Sequence, residues 1–209
     1  MKDLIKITLN LAIIFICAGA ILAVVYAGTE PRIELTKKLE KEKALKSLIP
    51  EAAFINTAGT YEPLEGKKAE YYIAKDKNGK PVGYIASSYS KGYSSIIHLF
   101  VAVDPAMRVK AINILDEQET PGLGDDIGKK YFQDRFKGKT LDQLVVVKNP
   151  DPAKIQAVTG ATISSKAATK GVRTGVEFLM KTYLPGKGVT NGAACTQPKA
   201  PDKGEGSNK

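Results

Sequence analysis

The segment from Gln156 to Ser165 combines small residues with four hydroxyl groups and leads directly into a helical pattern. The first turn of a helix offers free backbone N–H groups and the positive end of the helix dipole, which together favour a phosphate. Gly160 and Ala161 leave space there, and Thr159 and Thr162 supply hydroxyls. The segment therefore predicts a phosphate seat. An ordinary helix cap is the alternative, because Ser and Thr are preferred N-caps.

A second small-residue loop lies upstream, at residues 119–124. Pro121-Gly122 is typical of a turn, because Pro fixes φ and Gly accepts positive φ. Gly122 and Gly124 flank Leu123 and would let the backbone approach a flat ligand closely. A plain surface loop before a helix is the alternative. The nearby acidic residues do not have the spacing of an EF-hand loop, so we predict no metal site.

Several common chemistries are not indicated. The chain has no Gly-x-Ser-x-Gly elbow, no Walker A motif and no Gly-x-Gly-x-x-Gly fingerprint. Its one histidine, His98, lies in an apolar, strand-like run, which favours a structural role. Cys17 and Cys195 form no disulfide framework or metal-ligand pattern. We therefore predict no catalytic acid, base or nucleophile.

The N-terminal part of the chain is typical of a membrane anchor. Residues 7–29 contain no charge, and as a helix they would span roughly 30 Å, enough to cross a bilayer. A cleavable signal peptide ending near Val25-Tyr26-Ala27 is the alternative, but its apolar region is usually shorter. We expect residues 1–6 in the cytoplasm, residues 7–29 across the inner or plasma membrane, and the domain that follows on the outer side of that membrane.

Beyond the anchor, hydrophobic periodicity and turn signals predict alternating strands and helices. The predicted elements are a stalk helix at 33–48, strands at 71–75, 82–87, 94–103, 109–115 and 144–148, and helices at 125–136 and 163–183. Asn78-Gly79 is typical of a hairpin turn between the strands at 71–75 and 82–87, and the strands at 94–103 and 109–115 are expected to form another pair. The apolar stripe expected on the 163–183 helix consists of Ala168, Val172, Val176, Leu179, Met180 and Tyr183. Strands joined by hairpins indicate an α+β fold: an antiparallel sheet with packed helices, preceded by one transmembrane helix. The expected divisions are 30–50 (stalk), 51–184 (folded domain) and 185–209 (disordered tail).

The net charge of +9 favours an anionic ligand, an anionic membrane surface or acidic partners. Nucleic acid is not expected, because no run of basic residues is interleaved with aromatic ones in the manner of single-strand binders.

The combination of these features resembles a family. The anchor, Gly92-Tyr93 with the strand pair that follows, the loop from Glu119 to Gly124 and the turn from Thr159 to Thr162 are similar to the G subunit of the Rnf complex. That complex is a membrane-bound, ferredoxin-linked electron-transfer machine. Its G subunit belongs to the FMN-binding domain superfamily, together with the C subunit of the sodium-pumping NADH:quinone reductase.

The resemblance implies a covalent cofactor. In this family the motif Ser/Thr-Gly-Ala-Thr binds FMN through a phosphoester on its last threonine, which corresponds to Thr162. A dedicated flavin transferase makes the bond and uses FAD as the donor. Gln156 stands where such sites usually have an acidic residue. The implied function is a membrane-anchored electron-transfer subunit of an ion-translocating redox complex, not catalytic alone, with other membrane and redox subunits as partners.

The chemistry of the two loops and the resemblance together give one set of candidate cofactor-binding residues. The set consists of Thr162 as the phosphoryl threonine, with Tyr93, Glu119, Thr120, Pro121, Gly122, Leu123, Gly124, Thr159, Gly160, Ala161, Ser164 and Lys166. Lys166 would add a charge-assisted contact to the phosphate, and Glu119 would accept a hydrogen bond from the flavin ring. A stand-alone anchored flavoprotein reductase and a non-enzymatic anchored binding module are the alternative functions.

Overall fold

The computed structural model describes residues 2–184 of the chain. Its elements are α1 (Lys2–Leu48), β1 (Phe54–Leu64), β2 (Lys67–Lys75), β3 (Pro81–Lys91), β4 (Ile96–Val103), β5 (Val109–Asp116), α2 (Lys130–Gln133), β6 (Val146–Val147), β7 (Ile155–Gln156) and α3 (Thr162–Tyr183). The predicted tail, residues 185–209, lies outside the described residues.

The anchor and the stalk are one continuous helix, α1. Its large apolar side chains from Ile5 to Leu39 are exposed, and the helix is long and apolar enough to cross a membrane. The chain divides into two compact units between Lys43 and Ala44, so that the last turn of α1, which ends at Leu48, belongs to the folded domain. A helix whose apolar residues find no protein partner is typical of a lipid environment.

The five long strands form one antiparallel sheet in the order β1-β2-β3-β4-β5, as the α+β prediction requires. The predicted hairpin turn at Asn78-Gly79 joins β2 to β3: Gly79 has φ +79, and the Asp76 carboxylate accepts hydrogen bonds from the N–H groups of Asn78 and Lys80. Strand β1 was not predicted, because it is an edge strand with only partial burial and contains both Gly59 and Pro63.

Helix α3 packs against one face of this sheet. The predicted apolar stripe is confirmed: Ala168, Val172, Val176 and Leu179 are fully buried, and Met180 and Tyr183 are half-buried against the same core. The helix approaches β4 so closely at Gly175 that an added Cβ would lie 2.6 Å from Cγ1 of Val101. Each fully buried aliphatic side chain contributes roughly 1.5–3 kcal/mol, so this face fixes the position of the long helix.

The opposite face of the sheet has its own core. Leu45, Leu48 and Ile49, at the end of α1, pack there with Tyr72 of β2 and Phe100 of β4. The end of the anchor helix therefore forms part of the folded domain.

The connection from β5 to α3 differs from the prediction. The expected helix at 125–136 is wrong as a single element, because Lys129 is extended (φ −76, ψ 146) and divides it. The segment instead forms a 3-10 turn at Gly124–Gly128, the short α2 and another 3-10 turn at Asp134–Phe136. The strand expected at 144–148 is only Val146–Val147, which pairs in parallel with the unpredicted β7.

Candidate flavin site

Helix α3 begins at Thr162, one residue before the predicted start at 163. Its N-cap residue is Ala161, and no side chain donates or accepts a capping hydrogen bond at this helix start. Within the described chain, neither Thr159 nor Thr162 therefore acts as the cap that the plain-turn alternative requires. The N–H groups of the first helical turn have no intrahelical acceptors, which leaves the start of α3 suited to an external anion.

The turn before α3 is held by its own hydrogen bonds. Gly160 has φ +78, a backbone conformation that residues with a side chain rarely adopt. The Ala161 N–H donates to the carbonyl of Val158 over 3.0 Å, and the Val158 N–H donates to Oγ of Ser165 over 2.9 Å. The buried Ser165 thus ties the turn to the helix. Sequence analysis did not identify this role.

The Pro121-Gly122 turn forms as expected. Gly122 has φ +76, and the N–H of Leu123 donates to the carbonyl of Thr120 over 3.1 Å. The turn brings Leu123 against the neighbouring loop, because a Cβ added at Gly160 would lie 2.8 Å from Cδ2 of Leu123. The two loops that the sequence singles out therefore contact each other, although they lie far apart along the chain.

Glu119 is buried, and protein donors occupy both of its oxygens. Oε1 accepts from the N–H groups of Ser94 (3.1 Å) and Ser95 (3.0 Å) and from the Ser95 hydroxyl (3.0 Å). Oε2 accepts from the Tyr93 N–H (3.1 Å) and the Ser164 hydroxyl (2.6 Å). We name Glu119 and these four donor residues the Glu119 cluster. The cluster joins the β3–β4 loop, the 119–124 loop and the start of α3.

The charge state of Glu119 follows from this environment. Burial raises the pKa of the Glu119 carboxyl, but hydrogen bonds from Ser164, Tyr93 and Ser95 lower it by more. The net pKa lies below the ordinary value of 4.5, so the group is an anion at neutral pH. Our expectation that Glu119 accepts a hydrogen bond from the flavin ring stays a prediction. In this structure five protein hydrogen bonds already reach the carboxylate.

Three large apolar side chains are exposed around this junction. Tyr93 is 68% exposed, Ile163 56% and Leu123 46%. They belong to the three segments that the Glu119 cluster joins. Lys166 is also exposed, one helical turn beyond Thr162. The remaining predicted residues divide into exposed Thr120, Pro121, Gly122, Thr159 and Gly160, half-buried Thr162, and buried Gly124, Ala161 and Ser164.

Comparisons with known proteins agree with this geometry. The FMN-binding domain family matches residues 92–177, a range that includes all three segments. The G subunit of the proton-translocating ferredoxin:NAD(+) oxidoreductase complex of Clostridium ljungdahlii is 39% identical over 187 residues, covering 89% of this chain and 96% of the relative. The chain belongs to the G-subunit family of ion-translocating oxidoreductase complexes.

Another G subunit, from the Na(+)-translocating ferredoxin:NAD(+) oxidoreductase complex of Acetobacterium woodii, is 31% identical and covers 84% of this chain and 91% of its own. The crystal structure of the C subunit of the Na(+)-translocating NADH-quinone reductase from Parabacteroides distasonis has the same fold. It aligns with a TM-score of 0.55 and 19% identity over 75% of this chain and 98% of that one. The family resemblance inferred from the sequence is thus confirmed.

Two further features of this G-subunit chain were not evident in the sequence. Arg135 donates from Nη1 to the backbone carbonyl of Gln156, just before the Thr159 turn, and its guanidinium lies 5.3 Å from the ring centre of Tyr131. A cleft of about 460 Å³ surrounds Arg135, with Lys137, Lys139 and Lys154 among its lining residues. The Arg135–Gln156 hydrogen bond joins residues 21 positions apart, so no local motif indicates it.

His98 contacts residues of the neighbouring strand β3, in agreement with the structural role that its apolar context predicts. Its Nε2 is 2.8 Å from the hydroxyl of Ser87, and its ring stacks on Tyr89 with centres 4.2 Å apart. These contacts are on the sheet face opposite α3, where Phe100 of the same strand also points.

Proposed function

We propose that this chain is a membrane-anchored electron-transfer subunit that holds FMN covalently through Thr162, within a ferredoxin-linked, ion-translocating redox complex. The observation that supports this most strongly is the start of α3. Thr162 is the first residue of a helix that no side chain caps in the described chain, and it stands in the Thr-Gly-Ala-Thr turn of an FMN-binding domain.

The residues around Thr162 fit a mononucleotide. The first-turn N–H groups of α3 would bind the phosphate, and the exposed ammonium of Lys166 lies one helical turn away for a charge-assisted contact. Gly160 has no side chain of its own, so that Leu123 can pack against the turn before Thr162. Tyr93, Leu123 and Ile163 would provide apolar contact for a planar ring, because their side chains are exposed around the same junction.

The attachment is a group transfer with a defined balance. Thr162 Oγ1 forms a bond to the flavin-side phosphorus of FAD, and the phosphoanhydride bond of FAD breaks. AMP leaves, and the threonine proton passes to a base of the flavin transferase or to solvent. No electron is transferred in this step. Thr162 is half-buried and the preceding Thr159 and Gly160 are exposed, so we expect the transferase to approach Thr162 from the side of this turn.

In turnover, bound FMN supplies reversible electron transfer, and the protein supplies attachment, orientation and electrostatic environment. The helix dipole and Lys166 favour negative charge near the phosphate. Helix α1 keeps the domain at the membrane, next to the subunits with which it exchanges electrons. We propose that the domain faces the outer side of the membrane, in accordance with Lys2 and Lys6 before the apolar run.

A direct test uses the full chain, co-expressed with a flavin transferase and purified from membranes. Intact-mass analysis should reveal an increase equal to one FMN less one water. Thr162→Val should remove it, because valine has the shape of threonine without the hydroxyl. Unmodified parent protein under these conditions would refute the covalent assignment.

The same preparation distinguishes a subunit of a larger complex from the lone reductase. Mild detergent extraction should co-purify membrane redox subunits with the tagged chain, and the isolated chain should have no turnover with ferredoxin and NAD(+) alone. Full turnover by the isolated chain would favour the stand-alone reductase. A C-terminal reporter that is active only outside the cytoplasm tests the proposed sidedness.

A further inference from the structure

We propose that Glu119 is the positioning residue of the flavin site. Through its hydrogen bond with Ser164 it fixes the start of α3, and with it Thr162, relative to the β3–β4 loop, which contains Tyr93 and is called the Tyr93 loop below. This inference rests on the proposed function. It assigns Glu119 a task different from contact with the flavin. The carboxylate would act through the segments it joins, and the flavin would touch those segments.

The pattern of donors requires a carboxylate. Three donors converge on Oε1, and two converge on Oε2. An ionised carboxylate accepts at both oxygens and donates nothing, whereas a glutamine amide replaces one acceptor by an NH₂ group. On the Oε2 side the Ser164 hydroxyl could rotate to accept, but the Tyr93 N–H could not. With glutamine, at least one backbone donor would therefore face the NH₂ group wherever the amide nitrogen lies.

The packing around the carboxylate is as specific as its hydrogen bonding. A Cβ added at Gly92 would lie 2.3 Å from Oε1 of Glu119. A Cβ added at Gly124 would lie 2.7 Å from Cβ of Glu119 and 2.9 Å from Oγ of Ser164. Side chains fit at neither position without movement of the neighbouring segments. The three segments thus form one close-packed junction.

The α3 start and the Tyr93 loop differ in the contacts that would remain if the Glu119 hydrogen bonds were lost. Helix α3 is fixed by the buried stripe from Ala168 to Leu179, which lies farther along the helix than Ser164. The exposed Tyr93 loop is held to the α3 start by Glu119. Loss of the carboxylate should leave Thr162 at the head of an intact helix and release the loop. We therefore expect altered flavin attachment and flavin environment in a protein that still folds.

The test compares Glu119→Gln, Ser164→Ala and the double variant with the parent, each as full chain co-expressed with a flavin transferase. Glu177→Gln is the control: it makes the same carboxylate-to-amide change on α3, in a partly exposed pair with Arg173 at 2.9 Å. The measurements are the flavin-bearing fraction by intact mass, the visible absorption spectrum and midpoint potential of that fraction, and the thermal unfolding midpoint.

Each single variant should lower the flavin-bearing fraction roughly fivefold, the scale expected for one unsatisfied buried donor or acceptor. Each should also shift the absorption band or the potential of the remaining flavin. The double variant should lose less than the product of the two single losses, because both changes break the same contact. Glu177→Gln should match the parent.

Parent-like flavin fraction, spectrum and potential in both single variants would overturn the inference, even if their unfolding midpoints fell, because Glu119 would then be only structural. An equal loss in Glu177→Gln would overturn it as well. If Glu119→Gln does not accumulate, Ser164→Ala decides, since it removes one hydroxyl. Absence of flavin from the parent would instead refute the proposed function, so the two failures are distinguishable.

Discussion

The two faces of the central sheet perform different tasks with adjacent residues of the same strands. On β4, Leu99 and Val101 point towards α3, whereas His98 and Phe100 point towards the end of α1. The α3 face leads to a loop edge where glycines, hydroxyls and one buried carboxylate meet. The α1 face has an aliphatic and aromatic core next to the Ser87–His98 contact. None of the predicted flavin residues belongs to the α1 face.

This difference separates the proposed flavin attachment, on the α3 face, from the end of the anchor helix, on the α1 face. Helix α3 presents Thr162 at its first residue and is fixed by its apolar stripe, so the phosphate seat depends on the α3 face. The end of α1 is fixed to the other face by Leu45, Leu48 and Ile49. If the two faces are independent, changes on the α3 side should alter flavin attachment, and changes on the α1 side should alter stability alone.

The largest expected effect is at Thr162. Thr162→Val should abolish the flavin adduct while Thr159→Val, three residues earlier in the same turn, should retain it. Neither side chain caps the helix. Thr159 is exposed and Thr162 is half-buried, so the free energy of unfolding should change by less than about 0.5 kcal/mol in Thr159→Val and by less than about 1 kcal/mol in Thr162→Val. Intact mass and urea unfolding measure the two quantities. Loss of the adduct in Thr159→Val with retention in Thr162→Val would reverse the assignment.

The second effect tests the α1 face. Phe100→Ala should lower the free energy of unfolding by about 3–5 kcal/mol, because the ring is fully buried and its removal leaves a cavity. Tyrosine fluorescence of the full chain in detergent can follow unfolding, since the chain has nine tyrosines and no tryptophan.

The Phe100→Ala protein that remains folded should keep the parental flavin spectrum. A shifted spectrum would mean that the two faces are coupled. Leu99→Ala, at the neighbouring position of β4, is the matched change on the α3 face, because Leu99 packs against Gly171 of α3. It should destabilise the domain by a comparable amount and also shift the flavin spectrum.

A smaller expected effect, on the flavin-bearing fraction, distinguishes backbone strain at Gly160 from the contact between Gly160 and Leu123. Gly160→Ala and Gly66→Ala both place alanine at positive φ, +78 and +73, and each should cost roughly 1–2 kcal/mol. A Cβ at Gly160 also meets Leu123 at 2.8 Å, whereas nothing lies within 4 Å of one at Gly66. Only Gly160→Ala should reduce the flavin-bearing fraction. Equal fractions in the two variants would show that the Leu123 contact is irrelevant to attachment.

The smallest expected effect is a pH dependence of the stability that the Glu119 carboxylate contributes. Because the folded pKa of Glu119 is lowered, its carboxylate contributes stability that is fully present above the ordinary value of 4.5 and is lost as pH falls through the folded pKa. The stability difference between the parent and Glu119→Gln should therefore be constant from pH 7 to about pH 5 and shrink below it. A difference that stays constant at acid pH would contradict the lowered pKa.

Local patterns were sufficient for much of the fold. The Asn78-Gly79 turn, the β4–β5 pair and the stripe of α3 each depend on residues close in sequence, and all are confirmed. Strand β1 could not be predicted, because its own sequence has no clear strand pattern and the strand is stabilised by its pairing with β2. The helix expected at 125–136 was wrong as one element because the sequence pattern did not reveal the extended Lys129, which divides the segment between buried Ile127 and buried Phe132.

The site, like the fold, was predicted where it depends on local patterns and not where it depends on long-range contacts. Small residues, hydroxyls and a Pro-Gly turn identified both loops. Glu119 was among the predicted residues, but its hydrogen bonds to the β3–β4 loop and to Ser164 were not predicted. The Glu119 cluster unites residues 93–95, 119 and 164, and the Ser95 hydroxyl in it also accepts a hydrogen bond from the N–H of Gln118. Long-range polar contacts of this kind follow from the sheet and α3 being in place, and no short motif encodes them.

The most direct measurement of the central claim is the position of the flavin within one tryptic peptide. Cleavage after Lys154 and Lys166 releases residues 155–166, which contain four hydroxyls, those of Thr159, Thr162, Ser164 and Ser165. Fragmentation of this peptide from membrane-purified full chain should assign the added FMN phosphate to Thr162. Assignment to Thr159, Ser164 or Ser165, or a peptide without flavin, would contradict the account.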